Sequence, residues 1–494
     1  MLDIKSLPQK ETETYFYRIK EFKGLNMHDD GTVMDFEESP DAVNVRFDGG
    51  RLKRIKGFGI STWLKDGEQV LLRQLPESVV RLFEFQASSP DDEGYKNFYF
   101  SGDEGNLYKF TYDSTLKKIC AVKVENESGE TGIYTYFTQF RLGKENCALL
   151  GGPQCGPYIY KEDGKYTLIT GDNKPKMKRT AMHYGRMFGV GDPGYPQRIW
   201  FSAIDEPGNF AVSETAGGYI EISDMTGNAI DVVSYFDTLY VFCRYGIAAL
   251  NTLSVQSDFS LENIYYSDSE IIEGSVCVCG NRILFATRYG VYALSGSTVT
   301  KVSGKIDGFF ENVVCKEETS VYFAGQYFLS FNKSDGAKGM LIFDLLSRQW
   351  QIFSGTMPSS MAVFRGKNEE KLLISQGTSG VVPQWGTGNF LTNSGAIIAK
   401  WTSPVTDWGI SGSKKRVREV HLTASGSGTL NVKISADGST QTRTVTLSAD
   451  DKLFRLPFDI EGNLVGIELS NSTGNDFSVG PVTFIYTLKR EKVN

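Results

Sequence analysis

DTLYVFCRYGIAAL (Asp237–Leu250) and NRILFATRYGVYAL (Asn281–Leu294) are two copies of one pattern. Leu239 to Ile247 lays over Ile283 to Val291 residue by residue, and Arg244 and Arg288 open an identical Arg-Tyr-Gly turn 44 positions apart. Each copy is a short aromatic and β-branched run, a glycine turn and a second run, which reads as an antiparallel hairpin. A hairpin that returns after about 45 residues has the period of a four-stranded propeller blade.

The same grammar extends over most of the chain. Strand clusters begin near Val70, Gly132, Lys178, Ala229, Gly274, Ser320 and Ser360, spaced roughly 45 residues apart with one longer gap. Lys96 to Phe110 and Pro157 to Ile169 each read as strand, acidic-glycine turn, strand. Arg186 to Phe210 (RMFGVGDPGYPQRIWFSAIDEPGNF) supplies two strands of one blade. Pro193 and Pro196 lack a backbone donor and keep the intervening loop out of the ladder. Trp200 and Phe201 alternate, so they point to opposite faces of the sheet. The loop Asp192, Pro193, Gly194, Tyr195, Pro196 projects from one face of the disc and is the candidate subunit contact. Helical periodicity is nearly absent, with Asp307 to Val313 as the best short helix and Asp307 as its N-cap.

The composition changes after about Asn393. Six or seven alternating strands follow, including GTLNVKIS and TRTVTLS, with a basic run at Lys414, Lys415, Arg416 and Arg418 that reads as a guarded strand edge. The expected fold is all-β: a propeller of six to eight blades, most simply seven, then an antiparallel sandwich of jelly-roll type. Residues 1–21 form an N-terminal arm, 22–393 the propeller and 394–494 the sandwich. A propeller must close, and the hairpin at 42–56 is expected to supply the missing strands of the last blade.

The 494 residues include 52 Gly, 24 Tyr and 32 Phe but only 15 Pro, which suits short half-buried strands. A net charge of -7 over this length argues against broad adhesion to nucleic acid or anionic membranes. Seven Cys without a C-x-x-C pair read as free thiols of a reducing cytoplasm. The N-terminus has no apolar signal region, and no run approaches the ~20 apolar residues of a membrane span.

Catalytic motifs are missing. His28, His183 and His421 have no partner at metal-ligand spacing, and no nucleophile elbow, P-loop or dinucleotide fingerprint occurs. No metal, cofactor or catalytic residue is assigned, and the chain is not expected to be an enzyme. Ser101 to Tyr108 fits the Asp-box turn of sialidase-like propellers, in which Asp103 would cap hairpin amides rather than catalyse. Asp29-Asp30, Asp91-Asp92-Glu93 and Asp450-Asp451 read as solvated turns. Tyr195 and Trp385 stand at hairpin tips, where exposed rings stack on sugars, although single aromatics at blade edges are usually packing.

Three stretches together resemble one family. FKGLN…SPDAVNVRFDGGRLKRIKGF (Phe22 to Phe58), HYGRMFGVGDPGYPQRIWFSAIDEPGNF (His183 to Phe210) and WTSPVTDWG…KKRVREVHL (Trp401 to Leu422) are similar to motifs of the β-propeller structural proteins of tailed bacteriophages. That group includes short-tailed phage nozzle (tail tubular protein B) and packaged-DNA stabilisation types. The resemblance implies a virion tail or neck component assembled in the host cytoplasm. It implies a homo-oligomeric ring, a hexamer, docked to portal, adaptor and other tail proteins. Duplex DNA would pass through the ring without specific binding. The chain lacks the long inserted domains of the larger nozzle proteins, so a hub or collar fits equally. The alternatives are a carbohydrate- or receptor-binding tail-tip protein and, third, a propeller glycosidase.

Overall fold

The computed structural model describes residues 13–490 except 66–67, 88–97, 170, 223–225, 253–254, 315–318, 366–368, 377–379, 389–395 and 472. Asp91, Asp92, Glu93 and Cys315 therefore lie outside the described residues.

Seven four-stranded antiparallel sheets follow one another along the chain, one of them with a short parallel strand added. Their first strands are Val79–Glu84, Tyr136–Leu142, Arg179–His183, Ala229–Tyr235, Cys277–Cys279, Ser320–Phe323 and Ser360–Arg365. We call these sheets blades I to VII. The blade made by Ala229–Tyr235, Thr238–Cys243, Gly246–Asn251 and Ser260–Tyr266 is typical: each strand pairs with the next in a simple meander. The fold is a seven-bladed propeller.

Strand alternation explains how the blades stack. In blade IV, Leu239, Val241 and Cys243 pack with Phe188, Val190 and Phe201 of blade III. The intervening Tyr240 and Phe242 pack with Ile283, Phe285 and Leu294 of blade V. One strand therefore feeds two separate inter-blade layers, because its side chains alternate with period 2. Blade III repeats this: Phe201 enters the layer towards blade IV, whereas Trp200 enters the layer towards blade II with Tyr136, Phe140 and Leu149. Each fully buried aliphatic or aromatic side chain contributes roughly 1.5–3 kcal/mol, so the core is a ring of thin apolar layers between sheets.

The ring closes where residue 57 meets residue 388. Gly57–Gly59 is the fourth strand of blade VII, with Gln384 opposite Gly59 and Trp385 opposite Phe58. A Cβ on Gly388 would lie 1.7 Å from the Phe58 carbonyl oxygen, so the two backbones meet there only through glycine. Trp385 is accordingly packed on Phe58 of its own blade and on Phe328 of blade VI rather than displayed at a tip. Blade VII then abuts blade I. The Leu82 amide donates to Ser360 Oγ at 3.1 Å, and Arg365 pairs with Glu84 at 2.8 Å. Trp63, on the hairpin Thr62–Lys65 and Glu68–Leu71, fills this junction against Phe110 and Phe364.

Closure by the N-terminal segment holds, but the expected strand is the wrong one. The hairpin Val45–Asp48 and Arg51–Arg54 pairs with Phe477–Arg490 instead. The chain divides into two compact units: the described residues up to Ile55 join Gln349–Phe353 and the segment after Gly388, and the rest forms the other unit. The boundary at 22 is thus corrected, since residues 22–55 cluster with the sandwich.

The sandwich has two antiparallel sheets. One contains Val45–Asp48, Arg51–Arg54, Phe477–Arg490, Ser413–Gly426 and Lys452–Gly462, with Thr14–Ile19 also paired to Phe477–Arg490. The other contains Asp41–Val43, Lys400–Thr402, Val465–Ser470, Thr429–Ala436 and Ser439–Thr446. From Lys400 onward, successive strands cross between the sheets except at one hairpin, which is the jelly-roll habit. Two expectations change here. The arm at 1–21 contains a strand, with Thr14 opposite Thr487 and Ile19 opposite Val482. The basic run is not an edge, because Ser413–Gly426 is flanked on both sides. Arg416 and Arg418 both reach Asp459, and the buried Lys415 ammonium donates to the Asn463 carbonyl at 3.0 Å. The short helix is present as Asp307–Phe310, but Asp307 is its first residue and not its cap.

Candidate functional site

Arg186–Val190 and Arg198–Phe201 are strands, and the loop between them is held by its own residues. Asp192 is buried, and its carboxylate accepts from the Gly194 amide at 2.9 Å and the Lys176 amide at 3.3 Å. The Tyr195 amide donates to the Asp192 carbonyl at 3.0 Å, and the Arg198 amide to the Tyr195 carbonyl at 3.0 Å. Asp192 is therefore an internal clasp, not a contact residue. Tyr195 is the part of the loop that is presented, 49% exposed.

Beneath Tyr195 lies a layered surface. The Arg198 guanidinium sits 4.0 Å from the Tyr195 ring centre and 3.8 Å from that of Tyr219, and its Nε reaches Glu221 at 3.1 Å. Both rings meet the edge of the nearly buried Trp200. Sandwiching a guanidinium between two rings strengthens the attraction while costing little rotamer entropy, so this corner is rigid.

In a meander blade, every turn between the second and third strand lies on the same face of the disc. Tyr195, Tyr245 and Tyr289 occupy that turn in blades III, IV and V, at 49%, 39% and 54% exposure. Tyr245 donates to Glu270 at 2.9 Å, beside the Arg244–Glu270 pair. The repeated Arg-Tyr-Gly turn thus places two tyrosines, Tyr245 and Tyr289, on the face that also carries Tyr195. Sequence reasoning used that motif only as evidence of a repeat; its exposure was the signal that went unread.

The remaining charges of the blade III stretch do not converge on a reaction centre. Arg186 donates to the carbonyls of Ser202 and Ala216 at 2.8 and 2.9 Å. Asp205 stands in a turn at φ +56°, its amide bonded to the Gly185 carbonyl. The Asp-box turn is built differently from expectation: Glu77, not Asp103, accepts from the Asn106 side chain, the Tyr108 hydroxyl and the Glu104 amide. Among the described residues, no group of three or more His, Cys, Asp or Glu is arranged to hold a metal ion. Cys120, Cys147, Cys155, Cys243, Cys277 and Cys279 are free, and burial pushes the Cys155 and Cys243 thiols up to about 11. No helix among the described residues is long and apolar enough to cross a membrane.

No family model and no curated protein matches the chain. Among solved structures, it is similar to a puromycin-hydrolysing peptidase of Mycobacterium tuberculosis, at 10% identity and TM-score 0.40 over 68% of this chain and 57% of that one. It is similar to the Neurospora crassa Pan2 WD40 domain at 9% identity and TM-score 0.38, over 66% of this chain and 99% of that one. The extracellular domain of a hybrid two-component system from B. thetaiotaomicron gives 12% identity and TM-score 0.42, over 75% of this chain and 48% of that one. The chain spans little more than half of the peptidase, and these likenesses bear on neither activity nor ligand.

Proposed function

We propose that this chain is a structural component of a tailed-bacteriophage virion, a ring-forming tail or neck protein of hub or nozzle type. The carrying observation is the three-part resemblance to phage propeller proteins. Each of the three stretches builds a piece of framework: the closing strand Gly57–Gly59, blade III, and the sandwich strands Lys400–Thr402 and Ser413–Gly426. A virion component needs rigidity and complementary surfaces rather than a reactive centre. The face bearing Tyr195, Tyr245 and Tyr289 is the surface offered to a neighbouring subunit, since exposed tyrosines bury much area at small entropic cost. A net charge of -7 lets duplex DNA pass without adhesion. The partners are further copies of the chain, portal or adaptor proteins and other tail proteins; the site of action is the virion, after assembly in the host cytoplasm. No catalytic step is assigned.

Native mass spectrometry with negative-stain imaging tests this. The expected result is one discrete ring, a hexamer, that the double variant Tyr195→Glu/Tyr289→Glu converts to monomer. A strictly monomeric wild type at high concentration, with no affinity for portal or tail proteins, overturns it. The same tyrosines favour a second reading, glycan or receptor binding at a tail tip, because rings at a surface stack on sugars. A glycan array probed with the whole chain separates the two readings.

A further inference from the structure

The first strands of all seven blades surround a central channel with a cavity of about 290 Å3, to which every blade contributes at least one residue. Its lining is polar where a structural plug would be apolar. Arg81 comes from blade I, Thr138 from blade II, Arg179 and Thr180 from blade III, Asp231 from blade IV and Ser320 from blade VI. These side chains are one strand apart in space but some 45 residues apart in sequence.

Two arginines, Arg81 and Arg179, and one carboxyl, Asp231, line the cavity. Arg179 Nε is buried with no hydrogen-bond partner among the described residues, and lies 3.9 Å from Asp231 Oδ2. Its Nη1 makes only a long 3.5 Å contact to the Thr135 carbonyl. Asp231 Oδ1 is already occupied by the Val232 amide at 2.8 Å. The neighbouring charges cancel elsewhere, since Lys178 pairs with Glu273 at 2.6 Å. The Arg179 side chain is 18% exposed, so a guanidinium with incompletely used donors borders the cavity and offers paired N–H groups to an incoming oxyanion.

We propose that the channel is a binding site for a small oxyanion, a short dicarboxylate or a phosphate, held by Arg179 and Arg81. The hydroxyls of Thr138, Thr180 and Ser320 line the same space but are already engaged, Thr138 with Thr180 at 2.6 Å and Ser320 with the Gly274 carbonyl at 2.9 Å, so recognition falls to the guanidinium groups. At water's share of about 30 Å3 per molecule, the volume takes roughly ten non-hydrogen atoms, which sets the size class. The site owes nothing to ring assembly, so either proposal survives the failure of the other.

The pH dependence follows from the groups around Asp231: Arg179 on the adjacent strand, Glu273 with its partner Lys178, and Arg81 across the channel. Burial pushes the Asp231 carboxyl up to about 6 against the opposing pulls of Arg179 and the Val232 amide, with Glu273 adding a smaller upward push. Above pH 6 the ionised carboxylate competes with the ligand for Arg179. Below it the carboxyl is neutral and the cavity gains a positive charge, so Asp231 opposes binding at pH 7 and ceases to do so at pH 5, a difference that Asp231→Asn removes.

Isothermal titration of the full chain with malonate, succinate and inorganic phosphate at constant ionic strength tests this, with chloride as control. The expected result is saturable one-to-one binding by one of the three, with the wild type approaching the affinity of Asp231→Asn as the pH falls from 7 to 5. Arg179→Gln should weaken it at least tenfold, and Asp231→Asn should tighten it at pH 7 and flatten the pH dependence. Circular dichroism establishes that each variant is folded, and Arg81→Gln replaces Arg179→Gln if the latter is not. Preference among the three probes tells a carboxylate site from a phosphate site. No saturable binding by any probe, or binding indifferent to both arginine variants, overturns the proposal.

Discussion

Trp200 shows what a single side chain carries in this fold. It is 4% exposed and fills the layer between blades II and III beside Tyr136, Met187 and Phe210. On its outer edge it supports the rings of Tyr195 and Tyr219 that enclose Arg198. Trp200→Ala is therefore expected to cost roughly 3–5 kcal/mol, measured by urea unfolding, through lost transfer energy and a cavity that two rigid sheets cannot collapse. Tyr195 should also lose its fixed pose, so the variant should weaken the proposed ring assembly even where it remains folded. A loss near zero would place the indole outside the layer. The alternation of Trp200 and Phe201 was legible because period 2 depends on neighbours only. The roles of Arg179 and Asp231 were not, because a channel assembled from seven blades leaves no spacing pattern in the chain. Glu77 was missed for a related reason: the turn at Asp103 resembled a known hairpin cap, while the carboxylate that satisfies it arrives from 29 residues before Asn106.

At the level of the element, blades were easy to read and their closure was not. Seven strand clusters announce themselves through aromatic alternation and glycine turns, and the first strands from blade III onward begin within a few residues of the expected positions. The closing strand Gly57–Gly59 has three residues, two of them glycine, and no pattern of its own. The hairpin just before it has better strand chemistry, so it drew the assignment; tertiary pairing with Phe477–Arg490 overrode that choice. The closing pair is held by close backbone approach and by the Phe58–Trp385 contact, ring centres 5.2 Å apart, among other contacts. Gly388→Ala puts a methyl group 1.7 Å from the Phe58 carbonyl oxygen and must displace backbone on one side. The expected outcome is a detached strand: new trypsin cleavage at Lys56 and a lower unfolding midpoint, with the spectrum of the remaining blades kept. Wild-type protease resistance in this variant would mean that the ring is sealed chiefly by Trp63 and the Arg365–Glu84 pair.

At the scale of the whole molecule, the chain begins and ends in the same sandwich and makes its propeller as one long excursion between them. Both sheets of the sandwich depend on the early segment. Asp41–Val43 lies against Lys400–Thr402 in one, and Val45–Asp48, Arg51–Arg54 and Thr14–Ile19 extend the other. The ties are side-chain as well as backbone: buried Arg54 pairs with Asp476, Arg51 reaches Asp451 at 2.7 Å, and Tyr17 stacks on Trp408 at 4.8 Å. A fragment of residues 394–494 keeps the later strands yet strips the cover from Phe477–Arg490 and leaves Trp408 and Phe484 without Tyr17 and Phe36. Exposed strand edges and bare aromatic surface favour aggregation over folding. That fragment is expected to be insoluble or to lack dispersed amide resonances. Joining residues 13–55 to 389–494 through a flexible linker should restore a cooperative unfolding transition and a dispersed spectrum. A well-folded 394–494 fragment would show that the early strands merely decorate a sandwich already complete, and would return the domain boundary to the place where composition alone puts it.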